Sequence, residues 1–92
     1  MIYARLLLSG RVQGVGCRSL VNSIARDLGV NGTVKNLPDG SVEVVCECEE
    51  DIFKEFADRV KKGNFLVRVD AMDIKEKRTI AKPECNSFRI EY

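Results

Sequence analysis

Two amphipathic helical patterns, each preceded by a strand-like stretch, constrain the fold of this 92-residue chain more than any other feature. Apolar residues recur at spacings of three and four between Cys17 and Leu28, and Gly29 follows where a helix commonly ends. A second apolar stripe is formed by Ile52, Phe53, Phe56, Ala57 and Val60. Each apolar stripe must be buried, so the chain needs a sheet against one face of which both helices can pack.

Strand patterns supply that sheet. Residues 2–9 are rich in Leu and Ile and predict a largely buried first strand. Residues 30–37 and 41–48 predict a hairpin, because Pro38-Asp39-Gly40 between them is a tight-turn sequence. Two later stretches, from about residue 69 to 78 and from 87 to 92, predict a fourth strand and a short fifth strand.

The hairpin's second strand alternates clearly. Val42, Val44, Cys46 and Cys48 are expected to face inward, and Ser41, Glu43, Val45 and Glu47 outward. The full element order, β-α-β-β-α-β plus a short C-terminal strand, predicts a ferredoxin-like α+β sandwich. In this fold two helices lie on one face of an antiparallel sheet. Residues 1–92 are expected to form a single domain. The fold hosts enzymes, RNA readers and regulatory modules, so it does not decide function.

Composition narrows the function classes. Fifteen basic and fourteen acidic residues leave a formal charge of +1, which gives no basic footprint for nucleic acid or membrane. The apolar run Leu6-Leu7-Leu8 is too short for a signal core or a membrane span, so a cytoplasmic location is expected. The four cysteines are expected to be free thiols, and without histidine the sequence carries no zinc pattern.

One glycine-interrupted loop suggests a ligand. The run Gly10-Arg11-Val12-Gln13-Gly14-Val15-Gly16-Cys17-Arg18 leaves the first strand and enters the first helix. Glycines let successive backbone N–H groups turn the same way, and the helix adds its unpaired first-turn donors and its positive dipole end. The guanidinium of Arg18 could hold the same anion. A small phosphate-bearing ligand is therefore predicted, although such a loop also serves where a chain only needs to bend.

A second candidate is Asn36, at the end of the predicted second strand. Its structural alternative is an asparagine that initiates the turn by bonding to local backbone. Ser19 lacks an adjacent base, the turn accounts for Asp39, and the exposed strand face accounts for Glu43. Because the chain has no histidine, a Ser-His-Asp or Cys-His arrangement is excluded.

Read together, these segments resemble a known family. The glycine loop, Gly32-Thr33-Val34-Lys35-Asn36, Gly40-Ser41-Val42-Glu43-Val44 and the closing Phe88-Arg89-Ile90-Glu91-Tyr92 are similar to acylphosphatases over nearly the whole chain. The resemblance implies hydrolysis of a carboxyl–phosphate mixed anhydride to carboxylate and inorganic phosphate. It implies no cofactor, no metal and no covalent intermediate.

The resemblance also implies roles for particular residues. Arg18 and Asn36 correspond to the catalytic residues, with Asn36 positioning the attacking water. The phosphate-binding positions are Gln13, Gly14, Val15, Gly16, Cys17 and Arg18. The expected ligands are a small acyl phosphate substrate and phosphate or sulfate as a product-like ligand, without a nucleic-acid or membrane partner.

The sequence departs from the family pattern at two positions. Cys17 and Thr33 stand where the family usually has aromatic residues, which predicts looser packing beside the loop. The position of Cys17 near a helix N-terminus and beside Arg18 predicts a lowered thiol pKa, hence a hypothesis of redox control.

Three other function classes stay open at this point. One is a non-catalytic module that binds an acyl phosphate or another anion. A second is an accessory domain of a carbamoyl-transferring enzyme, although the chain's end just after its last strand favours a free-standing protein, and a monomer is expected. An RNA-binding module is the least favoured, because no pair of exposed aromatics is evident on the central strands.

Overall fold

A computed structural model describes all 92 residues, and every predicted helix and strand is present. The elements are β1 (Ile2–Arg11), α1 (Cys17–Leu28), β2 (Asn31–Asn36), β3 (Val42–Cys48), α2 (Glu50–Lys62), β4 (Arg68–Thr79) and β5 (Phe88–Glu91). Their order confirms the predicted ferredoxin-like α+β fold, with boundaries shifted by only one or two residues.

The five strands form one sheet in the order β4-β1-β3-β2-β5. Pairings among the first four are antiparallel, as predicted, whereas β5 pairs with β2 in parallel, with Val34 opposite Ile90. The sheet is therefore mixed at this edge, which corrects the expectation of a wholly antiparallel sheet. The chain reverses direction after β4, so β5 runs the same way as β1 and β2, and its neighbour at the edge is β2.

Both helices pack on the same sheet face and enclose one core. The inward side chains of β1 and β3 are fully or almost fully buried there, as the alternation predicted: Ala4, Leu6, Leu8, Val42, Val44, Cys46 and Cys48. Phe56 of α2 meets Phe88 of β5 edge to face, with ring centroids 6.3 Å apart. Burial of these apolar side chains is the main source of stability for the sandwich.

Glu47 contradicts its expected environment. It lies on the outer sheet face, but only 1% of it is exposed. The segment between β4 and β5 covers it, and its carboxylate accepts hydrogen bonds from the backbone N–H groups of Glu84 (3.0 Å) and Cys85 (2.8 Å). The chain must travel from one sheet edge to the other between these strands, so it passes over the central strand and buries this side chain.

All four cysteines are free, and three of them are buried. Burial raises the pKa of the Cys48 thiol to about 11, and it raises the pKa of Cys46 as well. Neither helix has the length and the continuous apolar surface that crossing a membrane requires.

Candidate active site

The loop between β1 and α1 is shaped by two glycines in the left-handed region. Gly14 has φ +75° and Gly16, the residue before the helix, has φ +84°. Residues other than glycine rarely adopt such φ values, whereas a Cβ at either position would meet no atom within 4 Å. Backbone strain, not crowding, therefore requires glycine here, and the space beside the loop stays open.

The backbone donors of this loop are unused. No N–H group from Gln13 to Ser19 donates a hydrogen bond to another group of the chain. Helix α1 also has no acidic residue in its first turn and no side-chain cap. Free donors at the positive end of a helix dipole, with no competing carboxylate, make an anion-binding site.

A cavity of about 110 Å³ opens beside these donors. It is lined by Val12, Gly14, Gly16, Cys17, Arg18, Ser19, Asn36, Ile90 and Tyr92. The structure thus brings together five of the positions singled out from sequence, whereas Gln13 and Val15 do not line the cavity. An apolar cavity of ~150 Å³ holds a benzene molecule, so this volume suits one small group such as a phosphoryl group.

Arg18 is held in place by the end of the chain. Its Nη1 donates to the carbonyl oxygen of Glu91 at 3.3 Å, and its Cζ lies 4.7 Å from the ring centroid of Tyr92. The guanidinium carbon thus lies over the Tyr92 ring, and Glu91 takes one of the five N–H donors of the guanidinium. The other donors make no hydrogen bond within the chain and stay available. Sequence reasoning missed both partners, because no local pattern joins them to Arg18.

Asn36 ends β2 on the face that carries the core. Val34, two residues earlier, is fully buried, so the alternation of the strand directs Asn36 to the same side, at the cavity wall. Its amide takes part in none of the chain's side-chain hydrogen bonds. The turn after it is held by Asp39, whose Oδ1 accepts from the Ser41 hydroxyl (2.6 Å) and backbone N–H (2.9 Å). The turn-initiating alternative for Asn36 is therefore wrong.

The two hydrogen bonds from Ser41 also affect the pKa of the Asp39 carboxyl. Hydrogen bonds from the hydroxyl and then the backbone N–H of Ser41 hold the pKa of Asp39 below its usual value. Asp39 does not line the cavity, in agreement with its predicted role in the turn.

Gln13 points to that same turn. Its Nε2 donates to the carbonyl oxygens of Leu37 and Ser41, each at 2.8 Å. Both N–H donors of this amide are therefore used within the chain and are not free for a phosphate.

The comparison with known proteins decides the family. The family model described as Acylphosphatase matches residues 4–90. The chain belongs to the acylphosphatase family. It is 41% identical to the acylphosphatase of Archaeoglobus fulgidus over 92 residues, which cover all of both chains.

Solved structures agree with this membership. The crystal structure of acylphosphatase from Bacillus subtilis matches with a TM-score of 0.91 and 33% identity, and the match covers 100% of both chains. The structure of HypF from T. kodakarensis matches with a TM-score of 0.83 and 29% identity. That match covers 99% of this chain but only 12% of the HypF chain.

Membership in this family carries a function. The acylphosphatase relatives support acylphosphatase function and an enzyme that binds an acyl phosphate. Neither a non-catalytic binding module nor an accessory domain is better supported. The match to a small part of HypF shows that the same fold also occurs inside a longer chain.

The two departures from the acylphosphatase pattern lie in different places. Cys17 is at the cavity wall, whereas Thr33 lies on the outer sheet face, between Val45 and Arg89 on the neighbouring strands. Looser packing beside the loop can therefore come from Cys17 alone.

Cys17 also differs from expectation in its ionisation. Only 2% of the residue is exposed, and burial raises the pKa of its thiol to about 11. The predicted lowering by the helix end and Arg18 is wrong, because the side chain packs into the apolar core, where the thiolate loses its hydration. The redox hypothesis loses its physical basis with it.

Proposed function

We propose that this chain hydrolyses the bond between the carboxyl and phosphoryl groups of small acyl phosphates, without a metal or a covalent intermediate. The observation that carries the proposal is the shared cavity. Gly14, Gly16 and Arg18 meet Asn36 there, although Asn36 comes from a different element eighteen positions after Arg18. One wall thus offers cationic and N–H donors, and the other offers an unpaired amide.

The first wall suits the phosphoryl group. The unused N–H groups between residues 13 and 17 would donate to its oxygens, and the free edge of the Arg18 guanidinium would hold a further oxygen. These donors are in place before the substrate arrives. They can therefore stabilise charge on the phosphoryl oxygens in the transition state without reorganisation.

The second wall suits the attacking water. The Oδ1 atom of Asn36 can accept a hydrogen bond from that water, which orients a lone pair of the water oxygen toward phosphorus. The new bond forms between the water oxygen and phosphorus, and the bond from phosphorus to the carboxyl oxygen breaks. An acyl phosphate dianion and water become a carboxylate and a dihydrogenphosphate ion, with both water protons retained on the phosphate.

No strong base is required for this reaction. A carboxylate is a good leaving group, so positioning and charge stabilisation supply most of the catalysis. An amide does not take up a proton at neutral pH, which restricts Asn36 to orienting the water.

We further propose that the single 1–92 domain acts as a monomer and binds phosphate or sulfate as product-like ligands. A cytoplasmic location is supported by the four free thiols, since a reducing compartment keeps such thiols unpaired.

Steady-state hydrolysis of benzoyl phosphate tests the proposal. Asn36→Ala is expected to lower kcat by ~10²-fold or more while the inhibition constant for inorganic phosphate barely changes, since only the water loses its partner. Arg18→Ala is expected to reduce kcat and to raise that inhibition constant at least ~10-fold, because hydrogen bonds to the anion are lost.

A matched control is Asn31→Ala, at the other end of the same strand and away from the cavity. It is expected to keep the wild-type kcat. Equal rates for the wild type and Asn36→Ala would overturn the role of Asn36, and an inactive wild type would overturn the reaction itself.

A further inference from the structure

The Gln13 side chain connects the loop before α1 to the turn between β2 and β3, through its hydrogen bonds to Leu37 and Ser41. We call this pair of hydrogen bonds the Gln13 bridge, and the sheet itself does not join these two segments. The last residue pair between β1 and β3 is Leu8 with Val42, and Val42 is also the partner of Asn36. Beyond this row the chain of β1 continues toward the phosphate-binding loop, and β2 and β3 continue into their turn. Since β3 separates β1 from β2, no backbone ladder connects the loop to the turn.

The Gln13 amide supplies the missing connection. Both of its partners, the Leu37 and Ser41 oxygens, are carbonyl acceptors, so the NH₂ group must face them and both of its protons are used. Leu37 O also accepts from Gly40 N at 3.2 Å, and Ser41 O from Leu37 N at 2.9 Å. The turn is thus closed on itself, and Gln13 attaches it as a unit to the loop.

We propose that Gln13 is a positioning residue that sets the distance between the phosphate-binding donors and the amide of Asn36. Gln13 does not line the cavity, so its side chain acts through the Leu37 peptide, which directly follows Asn36. This inference rests on the proposed function of the same cavity. It assigns a role different from phosphate contact to a side chain that sequence placed among the phosphate-binding positions.

The role predicts a selective kinetic effect. Loss of the bridge leaves the loop amides and Arg18 in place, so the affinity for phosphate is expected to persist. The turn, however, is free to shift relative to the loop, and displacements of ~1 Å can cost ~10²-fold in rate. The effect should therefore fall on kcat rather than on phosphate binding.

The first test is Gln13→Met, which keeps length and removes the donors. Benzoyl phosphate hydrolysis is expected to show kcat reduced ~10-fold or more, with the inhibition constant for inorganic phosphate changed by less than ~2-fold. A merely structural role would impair both. Unchanged kcat, or an equal loss in phosphate affinity, would overturn the proposal.

The second test uses a titratable replacement, Gln13→Glu. Its carboxylate would face two carbonyl oxygens without a proton, whereas the protonated acid can donate to one of them. These neighbours raise the pKa of the new carboxyl above its ordinary value of ~4.3. The kcat of this variant relative to wild type is therefore expected to rise as pH falls from 7 toward 4, and Gln13→Met should show no such rise. A flat ratio would count against the bridge.

The third test separates this inference from the proposed reaction. In the Asn36→Ala background there is no amide left to position, so Gln13→Met should change kcat by less than ~2-fold. If the two effects multiply instead, Gln13 acts independently of Asn36 and the inference is wrong while the reaction stands. If Asn36→Ala alone has no effect, the proposed mechanism is what fails.

Discussion

Arg18 combines a structural contact with its proposed role in phosphate binding. Its guanidinium carbon lies over the ring of Tyr92, one of its N–H groups donates to the Glu91 carbonyl, and its remaining donors have no partner within the chain. A lysine ammonium has no planar face or fork and could not divide its contacts in this way. Because Arg18 is restrained before a ligand binds, the proposed binding of phosphate would cost less conformational entropy at this side chain.

Cys17 gives a prediction at the residue scale. Its thiol pKa of about 11 leaves almost no thiolate at neutral pH, and the side chain is buried. Treatment of the folded protein with iodoacetamide or peroxide at pH 7.5 is expected to leave acylphosphatase activity unchanged. Mass spectrometry of the alkylated protein should show Cys85, the only cysteine that is not fully buried, modified first.

The matched control for this prediction is Cys17→Ala. Its inactivation curve should coincide with that of the wild type. Rapid loss of wild-type activity that Cys17→Ala resists would restore the redox hypothesis.

At the scale of elements, the short strand β5 carries much of the site. It has four residues, yet it supplies Ile90 to the cavity, the Glu91 carbonyl to Arg18 and the attachment of Tyr92. Phe88 anchors it in the core, and the Phe88 carbonyl accepts from Arg26 Nη2 at 3.4 Å. The buried carboxylate of Glu47 also accepts hydrogen bonds from the backbone of the segment that leads into β5.

Glu47→Ala tests this anchor. The substitution leaves the N–H groups of Glu84 and Cys85 without their acceptor, and each unsatisfied group costs ~1–3 kcal/mol. We expect the free energy of unfolding to fall by about 2–4 kcal/mol in urea titrations.

Glu43→Ala is the control on the same strand and face. Glu43 makes only ion pairs, with Arg5 at 3.5 Å and Lys35 at 3.8 Å. Loss of such pairs near the surface should cost less than ~1 kcal/mol. Similar losses for the two variants would show that the Glu47 carboxylate is not an anchor.

At the scale of the whole molecule, the proposed anion site would link ligand binding to stability. A ligand that binds only the folded chain raises the free energy of unfolding by ~2.7 kcal/mol when its concentration is 100 times its Kd. For a domain of this size that corresponds to a rise in Tm of ~10 °C or more. We expect inorganic phosphate to produce such a shift in thermal unfolding followed by circular dichroism.

Two controls make the shift specific. Sodium chloride at matched ionic strength should leave the Tm of the wild type nearly unchanged. Arg18→Ala should lose most of the phosphate effect, and an undiminished shift in this variant would place the bound phosphate elsewhere on the molecule.

Local patterns in the sequence were enough for the elements, the fold class and the choice of two segments whose residues line one cavity. The apolar spacing from Cys17 to Leu28 and the alternation from Val42 to Cys48 each reflect which side of one element is buried, and neighbours in sequence carry that information. The glycines before α1 likewise mark a backbone conformation that their own residue type allows.

Tertiary structure alone decided the contacts between distant segments. Gln13 bonds to Leu37 and Ser41, which lie 24 and 28 positions later in the sequence. Glu47 and Cys85 are 38 positions apart, and Arg18 and Glu91 are 73 positions apart. The parallel pairing of β5 with β2 and the raised pKa of the Cys17 thiol were likewise decided only by the tertiary structure. Such contacts depend on how the chain returns across the sheet and on which way each side chain packs. No periodicity within one segment encodes either, so sequence indicated the parts of the site and the fold determined how they are held together.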